Sequence, residues 1–183
     1  MPDLLEGVPW TWVIIRASGV AAWLALTAVV AFGLAVRAAK ASGRSFSRAL
    51  SLHRWLGTVA LLLVLVHMGL LLVDTYEHFT LAEIIVPFVA PWKPIAVGLG
   101  TIAFWLMVPA WLLGRMRHGW GDIWFPRVHM IAYVVWPLAT AHYVMAGTDA
   151  LALWSLALLV AGATAIAVLL LAQASRDEVQ VDR

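Results

Sequence analysis

Six histidines occur in the sequence, and four of them form two matched pairs: His53 with His67, and His129 with His142. In each pair one member, His53 or His129, stands at the end of a long apolar run and the other, His67 or His142, deep within it, where an ionisable side chain is costly and is usually kept for function. Separations of 14 and 13 residues, at about 1.5 Å of helical rise per residue, set the partners roughly 20 Å apart along their helices. If the two helices run side by side from the same face, His53 meets His129 at one depth and His67 meets His142 at another. Two imidazoles facing each other across a gap can hold a flat iron macrocycle by both axial positions, and neutral imidazole nitrogen suits iron. The pattern therefore predicts two stacked His–His clamps for two b-type hemes. The chain has no cysteine, which excludes disulfides, thiolate metal sites, iron–sulfur clusters and covalent heme attachment through C-x-x-C-H.

The two intervals differ in helical phase. At about 100° per residue, fourteen steps end about 40° short of whole turns, so His53 and His67 share a face, whereas thirteen steps end near 220°. An ideal helix would turn His129 and His142 to different sides, so a local change of winding is expected between them, with Pro137 as its candidate source. His78 and His118 fall in connecting segments and read as ordinary loop residues. Arg16, one turn inside the first apolar run, is either a snorkelling anchor or an ion-pair partner for a propionate of the outer heme. Arg54 and Arg127 adjoin His53 and His129 and are candidate propionate partners of the inner heme, although both also fit the charge bias of an inward-facing loop. Among the small residues, Gly19, Gly33, Gly98 and Gly100 read as helix packing. Gly57 and Gly69, four and two residues from paired histidines, are the better candidates for clearance around a macrocycle.

The elements that must position these residues follow from composition. Of 183 residues, 63% are hydrophobic and 12% charged, and the mean hydropathy is +0.92, against roughly 25% charged in ordinary soluble domains. The solvent for most of the chain is lipid. A membrane helix needs about 20 apolar residues, so the length accommodates five or six spans. Apolar runs at Trp12–Val36, His53–Val73, Ile95–Leu113, Val128–Met145 and Leu151–Ala172 predict an all-α, polytopic membrane helix bundle with five spans. A sixth stretch, Ile84–Ala90, is too short to cross and reads as interfacial. Residues 1–172 form one membrane domain and 173–183 a polar tail expected to fray.

Met1–Val8 carries Asp3 and Glu6 and no base, the reverse of a signal-peptide n-region, so the first span is expected to remain as an anchor. Arg37, Lys40, Arg44, Arg48 and Arg54 cluster after the first span, and Arg115, Arg117 and Arg127 after the third, whereas the opposite loops hold only Lys93. By the positive-inside rule the N-terminus lies outside and the C-terminus in the cytoplasm. Trp10, Trp12, Trp92, Trp120, Trp124 and Trp154 lie near the span boundaries, as interfacial indoles do. The expected location is a cell membrane, inner or plasma. A net charge of +2 is too small to suggest a nucleic-acid partner.

Arg16-Ala17-Ser18-Gly19, Leu52-His53-Arg54, His67, Val73-Asp74, Pro87-Phe88, Lys93-Pro94, Val128-His129 with Tyr133, and His142 ahead of Gly147-Thr148-Asp149 together resemble the ferric reductase-like transmembrane domain. That family includes membrane ferric reductases, the membrane half of NADPH oxidases, and the heme-binding membrane subunit of a bacterial methionine sulfoxide reductase system. The resemblance runs from about Trp10 to Ala150, and its most specific element is the pair of histidine intervals. It implies that His53, His67, His129 and His142 are axial ligands of two b hemes that carry electrons between the two faces. Many relatives have six spans. The 183 residues hold no glycine-rich dinucleotide fingerprint, so the chain is not expected to oxidise NADPH by itself. Electrons are expected from a partner flavoprotein, a quinol or a separate reductase, and to leave toward an outer-face acceptor or partner reductase.

Two other readings make different demands. A quinol-oxidising cytochrome b subunit of a larger dehydrogenase expects polar residues gathered near one end of the hemes. A His-based metal-ion permease expects carboxylates or closely spaced histidines at one midplane site, yet no Asp or Glu lies well inside any expected span.

Overall fold

A computed structural model describes residues 10–116, 125 and 127–181, with side chains to residue 175. In lipid the backbone must satisfy its own hydrogen bonds, and helices do so within one segment. The described residues accordingly form helices and no strand: α1 (Trp10–Ala41), α2 (Ser47–Leu71), α3 (Leu81–Ile85), α4 (Pro94–Arg115), α5 (Ala132–Ala146) and α6 (Leu153–Val181). Five segments are long and apolar enough to cross a membrane, as expected, the fourth running over Arg127–Ala146 and the fifth over Leu153–Ser175. The short apolar stretch around Ile84 forms the five-residue α3. Its start is fixed by a capping box, in which Thr80 Oγ1 accepts from Glu83 N and Thr80 N donates to the Glu83 carboxylate.

Helices α1 and α2 pack as one antiparallel hairpin and α4 and α5 as another, while α1 also touches α5 and α6, and α2 touches α4. Helix α2, with His53 and His67, and helix α5, with His142, are not among the closely packed pairs. At mid-depth the space between the hairpins is filled by Leu26, Ala60, Leu61, Ala103, Met107 and Val135. Reciprocal indole bonds lock α1 to α5: Trp23 Nε1 donates to Thr140 Oγ1 at 3.0 Å, and Trp136 Nε1 to Thr27 Oγ1 at 2.9 Å. Helix α6 is held by Tyr143–Ser155 at 2.8 Å and by Trp23 seated against Gly162. It continues unbroken past Gln173, the first residue of the expected polar tail, to Val181. Gln173 is buried, and its Nε2 donates to the Leu34 carbonyl at 2.7 Å.

The end of the bundle that the charge distribution assigns outward is closed by polar staples. Asp74 is 1% exposed, accepting from Thr11 Oγ1 at 2.6 Å and from Glu77 N at 3.0 Å. Burial alone would raise its pKa, but the hydrogen bonds from Thr11 and from the amides of Glu77, Tyr76 and Thr75 outweigh it and hold the carboxyl below its usual range. Lys93 Nζ donates to the Met145 carbonyl at 3.0 Å, where a cation complements the carbonyl-rich C-terminus of α5.

Candidate functional site

The tertiary structure brings the four paired histidines together in the predicted combinations. His53 and His129 have ring centroids 6.1 Å apart with planes at 77°, and His67 and His142 have centroids 6.3 Å apart with planes at 82°. The awkward thirteen-residue interval is accommodated at the start of the fourth span. There Ile131 N bonds to Val128 O, Tyr133 N to Met130 O and Val134 N to Ile131 O. Such three-residue-back bonds tighten the helix from 3.6 to about 3 residues per turn, adding rotation that carries His142 toward the seam. Pro137 lies farther on, within a continuous α5, so the observed tightening precedes the residue to which the sequence assigned it.

Three of the four imidazoles are tied by Nδ1 to a carbonyl of a neighbouring helix, each at 2.8 Å: His53 to Val29 and His67 to Ile15 on α1, and His142 to Ala96 on α4. A carbonyl only accepts, so these bonds put the proton on Nδ1 and leave Nε2 as the free lone pair. His129 Nδ1 is buried and has no hydrogen-bond partner among the described residues. Its ring is instead stacked on Phe125, with centroids 5.0 Å apart and planes at 17°.

Each histidine level opens on its own cavity. The cavity nearer the end that the charge distribution assigns outward, called the outer cavity, is about 670 Å³, is lined by His67 and His142 and reaches Arg16, Glu77, Thr148 and Asp149. The inner, about 240 Å³, is lined by His53, His129 and Arg54. Leu26, Met107 and Val135 line both and form the apolar partition between them. Among the described residues no three of His, Asp and Glu converge on a point, so the donors are grouped as pairs.

Arg16 reaches the outer cavity, but its guanidinium is ion-paired with Asp149, a partner the sequence did not assign to it. Arg54 lines the inner cavity, whereas Arg127 is exposed and does not. His78 is exposed, while His118, Trp120 and Trp124 lie outside the described residues. Of the two glycines singled out for clearance, Gly57 lines the inner cavity and Gly69 faces open space. The close approaches to the imidazoles come from Gly19, Gly33 and Gly100 on the facing helices. Their spacing held a signal: Gly19 and Gly33 repeat the 14-residue interval of His53 and His67, and Gly100 and Gly114 repeat it again.

The family model described as ferric reductase like transmembrane component matches residues 18–140. That match contains His53, His67 and His129 and ends two residues before His142. No curated protein and no solved structure gives a significant match.

Proposed function

Since this chain belongs to the ferric reductase-like transmembrane family, which acts in membrane redox electron transfer, we propose that it is a diheme b-type cytochrome passing single electrons across the bilayer. The observation that carries this reading is the pair of facing imidazoles at each of two depths. An imidazole nitrogen sits about 2 Å from a first-row metal ion and its ring centre about 1 Å farther, so rings on opposite sides of one metal stand about 6 Å apart. The observed 6.1 and 6.3 Å fit that spacing. Nδ1 bonded to a carbonyl at three of the four rings leaves Nε2 ready to ligate. The cavities lie within or near the few-hundred-Å³ range of cofactor sites, about 300–1,000 Å³, and are mostly apolar.

Bound heme would supply the one-electron iron chemistry. The chain's own residues hold it and insulate the route. His67 and His142 are the residues that would hold the outer heme, and His53 and His129 those that would hold the inner one. Leu26, Met107 and Val135 exclude water between the levels, so charge crosses as electrons and ions are kept out. Arg16 at the outer mouth and Arg54 at the inner supply positive charge for propionate carboxylates, Arg16 sharing its charge with Asp149. The donor is a cytoplasmic-side flavoprotein or quinol, and the acceptor an outer-face molecule or partner reductase. Arg16, Glu77, Thr148 and Asp149 at the outer cavity are the polar grouping that the quinol-oxidising alternative calls for. The permease alternative has no convergent donor set among the described residues.

The testing experiment is a reduced-minus-oxidised absorption spectrum of the purified chain, with heme quantified as pyridine hemochrome. Two low-spin b hemes per chain are expected. A chain that stays heme-free despite ample heme supply refutes the proposal, and one heme per chain refutes the two-level form of it. Reduction by added quinol without a flavoprotein would identify quinol as the donor.

A further inference from the structure

Each imidazole that is tied by Nδ1 meets the same local arrangement on the helix opposite. His67 bonds to the carbonyl of Ile15 and lies against Gly19, His53 to Val29 and against Gly33, and His142 to Ala96 and against Gly100. In every case the glycine stands four residues after the accepting carbonyl. Helix geometry explains the offset. A side chain on a helix tilts toward the N-terminus and covers the turn before its own Cα. The carbonyl of that turn already accepts one amide and keeps a second lone pair. A Cβ four residues on stands beside this lone pair, and glycine bares it.

The distances show how little room there is. A Cβ at position 100 would stand 2.6 Å from His142 Nδ1, one at position 19 would stand 3.2 Å from His67 Nδ1, and one at position 33 would stand 3.3 Å from His53 Nδ1. The fourth position departs from the pattern. Gly114 stands four residues after Ala110, whose carbonyl lies toward His129, but among the described residues no bond as short as the other three reaches His129 Nδ1. A Cβ at position 114 would meet the His129 ring only at 3.9 Å, an ordinary contact.

We propose that Gly19, Gly33 and Gly100 are positioning residues that bare the carbonyls of Ile15, Val29 and Ala96 to fix the Nδ1–H tautomer of the opposing histidine. The outer level thus has two fixed, strengthened donors and the inner level has one. A bond from Nδ1–H to a carbonyl makes the imidazole a stronger donor, which favours ferric iron. The inference rests on the axial-ligand reading for its redox consequence, but the tautomers exist without heme.

The test uses the full chain in detergent with ¹⁵N-labelled histidine, prepared with and without heme. In the heme-free wild type, NMR is expected to show His53, His67 and His142 protonated at Nδ1. Gly100→Ala moves His142 away from the Nδ1–H form, lowers heme occupancy and raises the midpoint potential of one b component. Gly19→Ala and Gly33→Ala do the same to a smaller degree at His67 and His53, and they carry the test if Gly100→Ala fails to fold. Gly114→Ala leaves the tautomers of His53, His67 and His142 at wild-type values. The inference is overturned if Gly19→Ala and Gly33→Ala leave both readouts unchanged, or if Gly114→Ala shifts these tautomers as strongly as Gly100→Ala. A wild type with the expected tautomers but no heme would refute the diheme reading while supporting the role of the glycines.

Discussion

The outer and inner histidine levels have the same ligand types and nearly the same ring separation, yet they are built differently. At the outer level both imidazoles are hydrogen-bonded to carbonyls and the cavity is about 670 Å³. Its mouth is guarded by the Arg16–Asp149 ion pair. At the inner level one imidazole is tied and the other stacked on Phe125, in a cavity of about 240 Å³. On the proposed diheme reading, such a difference means that equal donor sets need not give equal electron affinities. Orientation, hydrogen bonding and nearby charge act on each level separately, and in a low-dielectric interior each acts strongly.

The largest expected effect is loss of one level. His67→Ala or His142→Ala should remove the outer heme and leave much of the inner one, halving hemochrome per chain, and His53→Ala should do the converse. Equal loss of both hemes from every single variant would merge the two levels into one cooperative site. Next comes the charge at the outer mouth. Arg16→Ala should lower the outer midpoint potential, because a nearby positive charge favours the more negative reduced state, and Asp149→Asn should raise it by freeing that charge. Redox titration should show the inner component unmoved in both.

A smaller effect concerns stability. Asp74→Ala leaves Thr11 and the Glu77 amide without their acceptor and should cost about 1–3 kcal/mol, read as a lower melting temperature. The folded-state pKa of Asp74 is depressed, so its stabilisation is present above the unfolded carboxyl pKa and fades as pH falls through the folded one. Wild type and variant should therefore converge in stability under acid and differ most near neutrality. A gap that widened under acid would contradict the assignment. Arg54→Gln should give the smallest shift, a slight lowering of the inner potential, since Arg54 is exposed and its charge is screened by water and salt.

Much of the fold was legible because lipid imposes a simple rule on sequence. Five apolar runs became five span-length helices, and the Ile84 segment proved too short to cross because its apolar residues are hemmed in by a capping box and Pro87. The pairing of His53 with His129 and of His67 with His142 was also legible, since depth along a helix follows from residue count. The winding of the fourth span was not. Nothing local at Val128–Val134 announces the three-residue-back bonds that turn its histidines to one side. The partner of Arg16 was hidden for a different reason. Asp149 is 133 residues away in the chain, beyond any periodic pattern.

The sequence by itself determined the solvent, the helical class, the number of spans and the depths at which imidazoles stand. These depend on composition and on rise per residue, which are properties of one segment at a time. Only the tertiary structure decided which carbonyls His53, His67 and His142 bind, that Gly19, Gly33 and Gly100 rather than Gly69 make room beside the rings, and that His129 stacks on Phe125. Those facts depend on how each helix is rotated about its own axis against its neighbours. That rotation is settled by packing across the whole bundle, where a change of a few tenths of an ångström separates a hydrogen bond from an open contact.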